Sequence, residues 1–215
     1  MKSANIKLIE KLVKQVHSND SSGHDWHHID RVRKLALYIG RKEGSSHLER
    51  IEAAALLHDV ADGKLNESES KGQDKLHRIV NKLELHNEEK GIIMEIVKRI
   101  SFRGGNEAEL DSLEARAVRD ADRLDAMGAI GIARTFAYGG TKGNLIYDPQ
   151  LPVRTNMSLE EYRSGNTSTI HHFYEKLLIL KDLMCTDTGK ELAKERHEFM
   201  ELFLKQFYTE WNGQQ

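Results

Sequence analysis

The stretch Ile51-Glu52-Ala53-Ala54-Ala55-Leu56-Leu57-His58-Asp59-Val60-Ala61-Asp62-Gly63-Lys64 runs from an alanine- and leucine-rich helical pattern into a histidine-aspartate doublet. At the helical repeat, Ile51, Ala54 and Ala55 share a face with His58, and their small side chains leave room for another helix to approach closely. An ionisable pair at the end of so apolar a helix is costly to bury unless it is paired or bound to a cation. Imidazole and carboxylate together suit divalent first-row metals. The alternative is a C-terminal histidine salt-bridged to its neighbour and favoured by the helix dipole.

Two further stretches place ionisable residues inside apolar stripes. In Gly23-His24-Asp25-Trp26-His27-His28-Ile29-Asp30-Arg31-Val32, a helix carrying His28 puts Val32, Leu35 and Ile39 on the same face, so His28 points inward. His27 falls elsewhere, and His24 lies one turn earlier. In the run from Ala115 to Gly131, Ala115, Val118, Ala126 and Ala129 form a stripe centred on Asp122, whose carboxylate needs a cation there. Asp125 faces a similar direction, as a hydrogen-bond partner for a ligand histidine, whereas Asp120 and Arg123 are expected to face out or pair locally.

The rest of the chain fits an all-α protein. It has 215 residues, 39% hydrophobic and 31% charged, and only two prolines, where ordinary usage would give roughly ten. Apolar residues at three- and four-residue spacing predict helices over 3–17, 28–43, 46–61, 74–85, 87–100, 109–138, 158–183 and 188–210. No linker-like segment divides the chain, so a single domain over 1–215 is expected, with the three stretches in a core of about 20–140 and C-terminal helices over about 158–210. A net charge of −2 with interspersed signs offers no large positive field for a nucleic-acid backbone, and Met1 to Asn19 contains no apolar run long enough for a signal peptide or membrane span. A cytoplasmic protein with no nucleic-acid or membrane partner is the expectation. The single cysteine, Cys185, reads as a buried, inert thiol. Phe199, Leu202, Phe203, Phe207 and Trp211 form a face suited to a second copy or to intrachain packing, and of these a homodimer is expected.

In this order, H-D-W-H-H-I-D-R-V, H-D-V-A-D-G-K and D-A-D-R-L-D-A-M-G-A-I-G resemble the HD-domain metal-dependent phosphohydrolase superfamily. The likeness is to its small, stand-alone bacterial members, and extends to Ser168-Thr169-Ile170-His171-His172-Phe173-Tyr174. It implies a compact multi-helix HD-domain fold with a metal site between core helices, and His28, His58, Asp59 and Asp122 as ligands. Binuclear members carry extra histidines between the doublet and the last aspartate. Here only His77 and His86 lie there, in charged surroundings, so one ion is expected: manganese, magnesium, iron or cobalt.

Such an ion would activate water and draw in phosphate oxygens. Asp62, one turn beyond His58, is the expected acid/base, with Lys64 catalytic or phosphate-binding, against the alternative of an exposed loop pair. Arg103, beside Gly104 and Gly105, together with His24 and His171, is a candidate for substrate contact. Asp25 is grouped with Asp125 as support for the ligands. Trp26, Phe102 and Tyr138 are candidates for base stacking or core packing. The resemblance implies a nucleotide substrate, with a (deoxy)nucleoside triphosphate cleaved to monophosphate and pyrophosphate favoured. A 5′-nucleotidase of the same superfamily and a nucleotide-binding module with little turnover are the alternatives.

Overall fold

The apolar periodicity resolves into helices throughout a computed structural model that describes residues 3–17, 25–62, 66–100, 109–154 and 167–214. The described residues contain no strand. They divide into two compact units, Met1–Asp122 and Arg123–Gln215.

In the first unit, α1 (Ser3–Val16), α2 (Trp26–Lys42), α3 (Leu48–Leu57), α4 (Glu69–Asn81) and α5 (Asn87–Ile100) are followed by α6 (Leu113–Asp125), within which the unit boundary falls. α3 is the pivot. Ile51 and every residue from Ala53 to Leu57 are buried, and α1, α2 and α5 all pack against it. A helix whose second half is apolar on every side has to be central there, and each fully buried Ile or Leu in it contributes about 1.5–3 kcal/mol. His58 follows directly as its C-cap, so the doublet emerges inside the unit. α2 begins where Asp25 accepts a hydrogen bond from the His28 backbone N–H at 2.9 Å, an N-cap that fixes the entry of that helix.

The second unit contains α7 (Gly128–Lys142), a π-helical turn (Phe173–Leu177), a 3₁₀ turn (Ile179–Leu183) and α8 (Asp187–Trp211). α8 packs on α7 and on the 3₁₀ turn. Phe203 of α8 stacks on Phe173, with centroids 5.6 Å apart. Phe199, Leu202 and Trp211 stay exposed, while Phe207 stacks on Trp211. No helix among the described residues is long and apolar enough to cross a membrane.

Four expectations change. The helix predicted over 109–138 is two helices, because Gly128 turns the chain at φ 66° with the Arg196 side chain packed where a Cβ would lie. The stretch 158–183 is irregular where it is described, with π and 3₁₀ turns in place of a regular α-helix. Asp120 and Arg123 do not face out: both are buried, and Arg123 donates to the distant Leu183 carbonyl rather than pairing locally. Cys185 is only half-buried, since the chain leaves the 3₁₀ turn in an extended conformation at Met184.

Candidate metal centre

His28 projects from the first turn of α2, and His58 caps α3; both side chains are 1% exposed. Their Nε2 atoms face one another at 3.2 Å. The other His58 nitrogen, Nδ1, donates to the Ala55 carbonyl at 2.8 Å. That bond satisfies an orphan carbonyl at the helix end, fixes the ring and leaves Nε2 as the inward atom.

Two carboxylates close around the pair. Asp59 oxygens lie 3.2 Å from His28 Nε2 and 3.4 Å from His58 Nε2. Asp122 Oδ1, from α6, is 3.6 Å from each. His28, His58 and Asp59 offer ligand atoms all within 4.8 Å of one another. Ligands about 2.1 Å from a common ion stand about 3.0 Å apart at right angles and about 3.4 Å apart in a tetrahedron. The observed spacings of 3.2–3.6 Å fit that requirement, as does the mixed nitrogen and oxygen donor set. His28, His58 and Asp59 could therefore hold a divalent ion.

The electrostatics point the same way. Burial opposes charge on His58, but the Asp59 carboxylate, with help from Asp122 and the Ala55 carbonyl, outweighs it and holds the pKa at about 10. Burial likewise works against the Asp122 carboxylate, yet the hydrogen bond and charge of His58 bring it down to about 2. Without metal, a proton on His58 takes the cation's place.

Asp62 lies half-buried on the turn after the doublet, its N–H donating to the Asp59 carbonyl at 3.0 Å. Asp25 acts as the α2 cap next to His28. Asp125 is buried in the second unit, where Arg134 Nη1 donates to its Oδ2 at 2.8 Å. His171, also in the second unit and 4% exposed, has Nδ1 2.8 Å from Ser168 Oγ and its ring 5.4 Å from that of Tyr147. His77 and His86 are exposed. The Trp26 ring lies under Lys14 Nζ at 4.5 Å, and Tyr138 under Lys142 Nζ at 5.7 Å. His24, Lys64, Phe102 and Arg103 lie outside the described residues.

Two residues behind the doublet carry no motif. Asn66 donates to the Val60 and Asp62 carbonyls, and Gly72 of α4 sits so close to Ala61 that a Cβ would come within 2.6 Å of its carbonyl oxygen. The only signals for them in the sequence are the turn preference of asparagine and a glycine inside a helix.

The model of the HD domain matches residues 25–127, the segment that carries all four residues of the cluster. The protein YpgQ of Bacillus subtilis is 41% identical over 207 residues, 95% of this chain and 93% of that one. The chain belongs to the HD-domain family of metal-dependent phosphohydrolases. A crystal structure from Lactobacillus plantarum superposes with a TM-score of 0.89 at 39% identity, over 99% of both chains. An HD-superfamily hydrolase from Bacillus thuringiensis does so with a TM-score of 0.77 at 45% identity, over 100% of both.

Proposed function

We propose that this HD-family enzyme hydrolyses nucleotides, with (deoxy)nucleoside triphosphates cleaved to monophosphate and pyrophosphate as the leading substrate class. The observation that carries the reading is the convergence of His28 and His58 Nε2, 3.2 Å apart, with carboxylate oxygens of Asp59 and Asp122 around them. Support for a nucleotide comes from YpgQ, which has been crystallised in complex with ADP and superposes with a TM-score of 0.70 at 40% identity, over 94% of this chain and 97% of that one.

In this reading His28, His58, Asp59 and Asp122 hold one divalent ion, either manganese, magnesium, iron or cobalt. When bound, the ion supplies Lewis acidity toward water and toward phosphate oxygens. The protein does the positioning. Ala55 holds the His58 ring through Nδ1, and Asp25 holds the start of α2 under His28. Asp62, one turn past His58, accepts a proton from the attacking water or returns one to the leaving oxygen. Lys64, Arg103, His24 and His171 are the side chains proposed for substrate contact, with Asp125 as a supporting carboxylate.

The test is release of phosphate and pyrophosphate from a nucleotide panel, with manganese, magnesium, cobalt or chelator, for the wild type and Asp59→Ala. Metal-dependent pyrophosphate release that the mutant lacks is expected. Inorganic phosphate from 5′-monophosphates would replace the substrate class, and no release with any metal would replace catalysis by binding.

A further inference from the structure

α3 ends at Leu57, yet the chain continues through Asp59 and Asp62 in a tight turn whose carbonyls have no helix to bond to. The Val60 and Asp62 N–H groups donate back to the carbonyls of Leu57 and Asp59 at 3.1 and 3.0 Å. The Val60 and Asp62 carbonyls themselves receive the Asn66 side-chain amide, Nδ2 lying 3.0 Å from one and 2.8 Å from the other. Both partners are acceptors, so only the amide nitrogen can face them, and it uses both of its hydrogens. Between the two, Ala61 is seated against Gly72, where a side chain would strike its carbonyl oxygen. Each of the three residues after the doublet is thus held from the segment 66–72.

We propose that Asn66 is a positioning residue for the metal centre: its side-chain amide sets the turn that presents Asp59 toward the ion and Asp62 toward the reacting groups. The proposal rests on the reading of His28, His58, Asp59 and Asp122 as a metal centre. Aspartate is nearly isosteric with asparagine but would set a carboxylate oxygen against two carbonyl oxygens. Alanine would simply leave the carbonyls unclamped. Residues that orient ligands from behind typically change metal affinity 10–100-fold.

The experiment is manganese titration of the purified full-length protein by calorimetry, with the melting temperature of the metal-free protein recorded alongside. Asn66→Asp is expected to weaken manganese binding by about 10–100-fold. Asn66→Ala is expected to weaken it by about tenfold, and serves as the second variant should the aspartate fail to fold. Ser68→Ala is the control. Ser68 caps α4 by accepting from the Lys71 N–H at 3.3 Å, so its loss loosens the same segment without touching the Val60 or Asp62 carbonyl. It is expected to lower the melting temperature by a few degrees and leave manganese affinity within about twofold. Folded Asn66 variants with wild-type affinity overturn the proposal, and so does Ser68→Ala weakening the metal as much as they do. A wild type that binds no manganese, magnesium or cobalt overturns instead the metal-centre reading beneath it.

Discussion

Each of the two units holds a carboxylate cluster, fully buried in the second and with Asp122 still partly exposed in the first, and the clusters are completed in opposite ways. In the second unit Glu175, with no exposed side-chain surface, is gripped by Arg154, whose Nε and Nη2 reach its two oxygens at 2.9 and 2.8 Å. Thr167 adds a hydrogen bond at 3.1 Å. The fork geometry supplies charge and donors together, so that carboxylate is satisfied by covalently attached partners. In the first unit Asp59 and Asp122 face two imidazoles, which supply a full positive charge only by taking up a proton. One cluster carries its cation in the chain; the other leaves the cation exchangeable. A buried anionic site of the second kind serves poorly as a staple and well as a binding site.

The most direct way to break the contrast is to remove an acid from each. Asp59→Ala takes away a ligand, and manganese affinity and turnover are expected to fall by at least about a hundredfold, beyond the range seen when only a supporting residue is lost. Calorimetry and pyrophosphate release check it, with the exposed His27→Ala as the unaffected comparison. Glu175→Ala should do the reverse. It removes the carboxylate that the Arg154 guanidinium grips, at a cost of about 3 kcal/mol. That corresponds to a melting temperature roughly 6–12 °C lower by calorimetry, with manganese affinity held within about twofold. Loss of metal binding in Glu175→Ala would erase the distinction between the clusters.

The exchangeable cation predicts a smaller effect that sharpens the comparison. With its pKa near 10, His58 is protonated at neutral pH in the metal-free protein, whereas a ligand nitrogen must be neutral. Metal entry therefore expels that proton. Manganese affinity should rise with pH, by about tenfold per unit below about pH 10, and about one proton should be released per ion at neutral pH. Titrations in buffers of different ionisation enthalpy read both numbers. Affinity flat with pH would mean that His58 is already neutral.

The residues that hold the first cluster were visible in the sequence for a physical reason. His28 and His58 interrupt apolar stripes, and an ionisable group in such a position is costly unless something completes it. Asp122 follows the buried Ala115 and Val118, whereas Ala126 and Ala129, counted in the same stripe, lie past the end of α6, half-buried and exposed. The helices around them were legible wherever one face is continuously apolar, as in α5, found over the predicted 87–100. The break at Gly128 was hidden because small residues keep the helical period running across it, and a positive φ leaves no mark on periodicity. The irregular turns after His171 were hidden because Phe173, Leu177, Leu180 and Met184 keep a helical apolar spacing through the π and 3₁₀ turns. Asn66 and the Arg154–Glu175 pair were illegible because their partners are fixed by loop geometry or lie 21 residues away. No local pattern encodes contacts of that kind.

The smallest expected effect tests the self-contained cluster through its charge alone. Burial pushes the Glu175 carboxyl up, but the Arg154 hydrogen bonds and charge, with Thr167, more than reverse this and leave it below its ordinary value of 4.5. The folded state therefore binds that proton less readily than the unfolded chain. The stabilisation is fully present above the unfolded value and is lost as pH falls through the lowered folded one. Glu175→Gln keeps the shape and an acceptor but cannot carry the charge. The wild type should exceed it in unfolding free energy by a constant margin from about pH 7 to about pH 5.5, and the margin should shrink below about pH 4.5. Urea unfolding at a series of pH values measures it, and a margin independent of pH would mean that Arg154 stabilises Glu175 by shape and hydrogen bonding rather than by charge.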